Sequence, residues 1–111
     1  MPTDPRSDVL NAGLHLAMEF GENWMKPIQS RLHERYPALS EAELNELNQI
    51  CQDAMRFGHA RVYDLAAKSG DKTKFAAFKP LMMAKYAWVN GHNLSRLFSQ
   101  GMYYAWKDLG F

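Results

Sequence analysis

Apolar residues recur along this chain at helical spacing in three long stretches. The firmest stretch begins at Ser40. Ser40 and Glu43 stand at the two positions of a capping box, and Leu39 and Leu44 occupy the N′ and N4 positions of a hydrophobic staple. Leu44, Leu47, Cys51, Ala54, Met55, Gly58, Val62 and Leu65 then mark one face, until Gly70 ends the helix with Lys68 in its last turn.

The stretch before it starts with Asp4 as N-cap and Pro5 at N1, where proline's missing donor is harmless. Val9, Leu10, Leu14, Ala17, Met18, Trp24, Met25, Ile28, Leu32 and Tyr36 continue it. Pro27 falls inside this pattern and must kink or divide the helix, because it removes the bond to the Asn23 carbonyl. A bend is expected over residues 21–27. Pro37 ends the segment, and the short link through Leu39 turns the second helix back along the first.

The third stretch follows Ser69-Gly70-Asp71, with Asp71 or Thr73 as cap of a short turn through Phe75 and Phe78, and with Pro80 at the first position of a new helix. Leu81, Ala84, Trp88, Phe98, Met102, Ala105 and Leu109 share one stripe, widened by Val89, Leu97, Gly101 and Tyr104. Within it, Asn90-Gly91-His92-Asn93 opposes the pattern, since glycine and asparagine are poor in helix interiors and Asn-Gly is a turn signal. An unbroken helix is favoured here over a break with Asn93 capping a fourth, because the stripe stays in register. The fold expected is therefore all-α. It is an antiparallel helical bundle of three long helices with proline breaks near 27 and 80, and the option of a fourth helix after 92.

The 111 residues are 47% hydrophobic and 13% aromatic, enough for one core and one domain spanning 1–111. The net charge of +1 selects neither nucleic acid nor an anionic membrane. It hides an asymmetry. Residues 1–55 hold four Lys or Arg against nine Asp or Glu, a net of −5, and residues 56–111 hold nine against three, a net of +6. Such halves can attract each other within one bundle or between two chains, although solvated faces are the ordinary reading. Lysines 68, 72, 74, 79 and 85 concentrate the positive charge around Asp71, but no base-reading motif accompanies them. No span approaches the ~18 apolar residues of a membrane helix, MPTDPRSD has no apolar leader core, and a cytoplasmic location is expected.

Candidate chemistry is sparse. The single cysteine, Cys51, lies on an apolar face, where a reduced, inert thiol is expected. The histidines at 15, 33, 59 and 92 lack the Glu-x-x-His spacing of di-iron bundles, and neither His-Glu-x-x-His nor paired cysteines occur. Nucleophile elbows and glycine-rich phosphate loops are missing as well, so neither an enzyme nor a cofactor is expected. What stands out is the run Met102-Tyr103-Tyr104-Ala105-Trp106, richer in aromatics than one helix face can hide. Aromatics and methionine concentrate at the centres of interfaces. The function expected is a non-enzymatic protein-interaction module, a small helical adaptor, regulator or inhibitor. It is expected to pair as a homodimer, or with a heterologous protein, through Trp88, Phe98, Met102, Tyr103 and Trp106. Dimerisation would add the burial that thin three-helix rods lack. The alternative is a metal- or small-ligand-binding bundle using His59, Tyr63 and His92, with Asn90 and Asn93 as further ligand contacts.

Overall fold

The computed structural model describes residues 5–19, 26–70 and 73–110. Among these the chain is all-helical, with five helices: α1 (Pro5–Ala17), α2 (Gln29–Arg35), α3 (Glu41–Ser69), α4 (Phe75–Lys85) and α5 (Gly91–Leu109). No helix of the described residues is long and apolar enough to cross a membrane. Residues up to Met55 and residues from Arg56 onward form two compact units. Helix α3 runs through that boundary without a break, so its first half belongs to one unit and its second half to the other.

The start of α3 follows from local sequence. Glu43 N–H donates to Ser40 Oγ at 3.1 Å, and Ser40 N–H donates to Glu43 Oε1 at 3.0 Å, which closes the capping box. The Ser40 backbone N–H, and after it the Ser40 side chain, stabilise the ionised carboxylate and hold the Glu43 pKa below the usual carboxylate range. At the other end Gly70 adopts a φ of +65°, a left-handed conformation that glycine takes without a Cβ penalty.

In the first unit, Leu10, Leu14 and Ala17 of α1, Met18 just after it, Ile28 and Leu32 around α2, and Leu44, Leu47, Cys51, Ala54 and Met55 of α3 make up the buried core. Helices α1 and α3 approach closely because residue 13 is glycine: a Cβ there would stand 2.7 Å from Cys51 Sγ. In the second unit, Val62 and Ala66 of α3, Phe78 and Met82 of α4, and Leu94, Leu97 and Ala105 of α5 form the core. A close approach to α3 recurs there, again through a glycine on the helix packed against it, here Gly101 of α5. A Cβ on Gly101 would lie 2.6 Å from Val62 Cβ.

The two units share a local plan at a constant offset of 50 residues. Tyr36 ends α2 with φ −131° and ψ 74°, its N–H donating to Leu32 O, and Tyr86 ends α4 with φ −128° and ψ 69°, its N–H donating to Met82 O. Leu39 N–H then donates to Tyr36 O at 3.2 Å, and Val89 N–H to Tyr86 O at 3.1 Å. Ser40 caps α3, and Asn90 caps α5 by accepting from Asn93 N–H at 2.9 Å. Leu44 and Leu47 are buried in one unit, Leu94 and Leu97 in the other.

The structure corrects three expectations. The helix does not run through residues 90–93: α4 ends at Lys85, Asn90 is the N-cap of α5, and Asn93 is its third residue rather than a cap. The apolar stripe kept its register across the turn because a five-residue connection brings Leu94 back to the same core. Pro80 does not start a helix either, since α4 already begins at Phe75 and Pro80 lies inside it. Its missing N–H deprives only the carbonyl of Ala76, and Ala76 and Pro80 are both exposed, so water can take the vacant position. Pro27 falls between helices, two residues before α2, and so divides the first stretch. Residue 73 is not the cap of α4: its hydroxyl donates to Gly70 O, and Lys74 precedes the helix without a side-chain cap. The expected caps Asp4 and Asp71, and most of the expected bend at 21–27, lie outside the described residues.

Candidate functional site

Helix α5 carries two faces. Leu94, Leu97, Gly101 and Ala105 are buried against the rest of the second unit, which fixes the rotation of the helix. Three and six residues on from Tyr103, the same rotation brings Trp106 and Leu109 to the outside. Tyr103 is 50% exposed, Trp106 59% and Leu109 40%. The Tyr103 and Trp106 rings stand 6.4 Å apart, and Tyr103 meets Tyr104 edge-on at 5.7 Å, so the aromatic groups form one patch.

The five residues expected at an interface do not all share it. Phe98 is half-buried within the unit, its ring 5.7 Å from Phe75 and 6.1 Å from Phe78. Trp88, in the turn before α5, is half-buried and meets Tyr86 edge-on at 6.2 Å. Met102 is half-buried beside the exposed flank. Tyr103 and Trp106 are the two that present large apolar surface outward, and Leu109, which the sequence placed only in the stripe, joins them.

The fold itself does not demand apolar residues there. Fifty residues earlier, Tyr103 and Trp106 correspond to Asp53 and Arg56 of α3, both exposed and both charged. Asp53 lies in the first unit and Arg56 opens the second, so α3 carries solvated side chains at the positions where α5 carries aromatics.

The expected ligand residues separate into two places. His59 and Tyr63, one turn apart on α3, line a shallow recess with Ala60, Asp64 and Tyr104. Gln100 Oε1 lies 2.9 Å from His59 Nε2 and accepts its proton in a hydrogen bond. The Tyr104 ring centroid is 5.5 Å from the imidazole. Burial of the ring lowers the His59 pKa, and the bond to Gln100 offsets part of that. Asn90, His92 and Asn93 sit instead at the start of α5, where Asn90 is a cap, Asn93 is buried and His92 is exposed. His92 is eight residues from Gln100, roughly 12 Å along the helix at 1.5 Å per residue, and does not line the His59 recess. Among the described residues, no three His, Cys, Asp or Glu side chains are grouped to hold a metal ion. Cys51 is fully buried, and desolvation pushes its thiol up to about 12, which keeps it protonated.

Around Phe57 the second unit holds a different cluster. Lys85 Nζ stands 4.6 Å from the ring centroid and the Arg61 guanidinium 5.4 Å, while Tyr86 meets the ring edge-on at 5.6 Å. Arg61 also pairs with Asp64 at 2.7 Å. These contacts tie α3 to α4 within the unit. Compared with known proteins, the chain matches no protein-family model, no curated protein and no solved structure.

Proposed function

We propose that the chain is a protein-interaction module that acts through surface complementarity and associates with itself, the outer flank of α5 being its docking surface. The observation that carries this reading is the patch of Tyr103, Trp106 and Leu109, whose two aromatics are exposed at positions where, fifty residues earlier, α3 carries the charged Asp53 and Arg56. Large aromatic anchors of this type supply most of the free energy at interfaces, whereas singly scattered apolar residues need no explanation. Adaptor, regulator and inhibitor roles all follow from such a surface without any chemistry on a substrate.

Sedimentation equilibrium over a wide concentration range tests the proposal. The wild-type chain is expected to associate, and Trp106→Ala to weaken association roughly 30-fold or more, the scale of a truncated anchor. Because Trp106 is more than half exposed, helicity by circular dichroism should stay unchanged. Met102→Asp, beside the patch, should act in the same direction. A chain that stays monomeric, or an association that Trp106→Ala leaves intact, refutes the reading.

A second reading, small-ligand binding, has one observation in its favour, the recess where His59, Tyr63 and Tyr104 converge. It is abandoned if no retained molecule is found by native mass spectrometry of the freshly isolated wild-type chain, or if one is found that His59→Ala does not release.

A further inference from the structure

The first unit contains a recess that complements the α5 patch in apolar character and charge. Val9 of α1, Leu39 before α3, and Leu47 of α3 supply apolar walls, and Arg6, Glu43 and Glu46 surround them. Its volume of about 240 Å³ falls below the roughly 300 to 1,000 Å³ of small-molecule sites, which suits one inserted side chain better than a ligand. Two of its three charged residues are acidic, in a unit whose net charge is −5.

In the second unit, of net charge +6, the exposed Trp106 is followed directly by exposed Lys107. We infer that Trp106 of one chain seats in the Val9, Leu39 and Leu47 recess of a second copy, with Lys107 meeting Glu46 at its edge. The occupant is a second copy because one chain carries both complements, an apolar anchor beside a cation and an apolar recess beside carboxylates. Trp106, more than half exposed in the single chain, keeps its ring available for the insertion. The opposite charges of the units steer this encounter and oppose pairing of like units. This inference rests on the self-association proposed above and adds to it where the anchor goes.

Charge exchange between two chains tests it. Lys107→Glu and Glu46→Lys both change exposed residues, and the ion pair that Glu46 makes with Arg6 at 3.5 Å is itself exposed on both sides. Each variant alone should self-associate roughly 2- to 10-fold more weakly than wild type, because like charges then face each other across the contact. An equimolar mixture of the two should recover wild-type affinity and form mixed pairs in excess of the statistical share. In a mixed pair the carboxylate placed at position 107 of one chain faces the ammonium placed at position 46 of the other, and the unchanged Lys107 and Glu46 face each other at the second contact. Native mass spectrometry counts those pairs. If wild type associates and Trp106→Ala weakens it, but the two charge variants show no preference for each other, the docking inference is overturned and the interaction reading stands. If wild type does not associate at any concentration, the interaction reading has failed first.

Discussion

Replacing Gly101 by alanine probes the tightest contact in the second unit. The added Cβ would stand 2.6 Å from Val62 Cβ and 2.8 Å from one of its methyls, against the 3.4 to 4 Å of ordinary contact. Val62 Cβ is fixed to the backbone and cannot rotate away, so helices α3 and α5 must separate by up to about 0.8 Å. Overpacking of this kind costs about 1 to 3 kcal/mol, and the rigid neighbour places Gly101→Ala near the upper end. Alanine regains about 1 kcal/mol of helix propensity, leaving a net loss of about 2 kcal/mol. For a chain of this length that is a fall in melting temperature of roughly 8 °C, readable by circular dichroism or calorimetry. Val62→Ala alone should also destabilise, by opening a cavity at a fully buried site. In the double variant the new methyl occupies that cavity, so the two losses should couple by at least about 0.5 kcal/mol in the favourable direction. A Gly101→Ala chain as stable as wild type, or two losses that simply add, would show that this approach is not a packed contact.

Two further predictions concern titratable groups. His59 has a folded pKa below its unfolded value of 6.5, so the unfolded chain takes up a proton first as the medium is acidified. The stability associated with the neutral ring is present above pH 6.5 and is lost as pH falls from there through the folded pKa; denaturant titrations of wild type and His59→Gln should diverge in that window, and parallel curves would contradict the assignment. Cys51, protonated and fully buried, should resist iodoacetamide under native conditions and react at the rate of a free thiol in denaturant, with rapid native labelling counting against its place in the core.

Legibility of the fold followed the range of the interactions involved. The capping box at Ser40 is written in four consecutive residues and is formed as read. Asn90 is the same device with a weaker signature, because Asn93 offers no carboxylate to return the bond and the preceding Ala87 lacks the proline that marks Pro37. Setting the chain against itself at an offset of 50 would have aligned Tyr36, Ser40, Leu44 and Leu47 with Tyr86, Asn90, Leu94 and Leu97, and so shown the turn. Pro80 misled because a proline in an exposed helix flank loses only one bond. At the candidate site, the aromatic excess near the end of α5 was visible, but which rings face outward depends on the rotation set by Leu97 and Gly101, a tertiary matter. The pairing of His59 with Gln100 spans 41 residues and leaves no local trace.

The passage of α3 through the unit boundary bears on how the chain comes apart. Between Met55 and Arg56 the helix ladder sets four backbone bonds across the junction, donated by residues 56 to 59 to the carbonyls of 52 to 55. At about 0.5 to 1.5 kcal/mol net apiece, melting one core up to that point forfeits roughly 2 to 6 kcal/mol of helix that a flexible tether would not put at risk. Each core thus acts as the helix cap of the other, and a lesion such as a cavity at Val62 is felt in the hydrogen exchange of amides on both sides of residue 55.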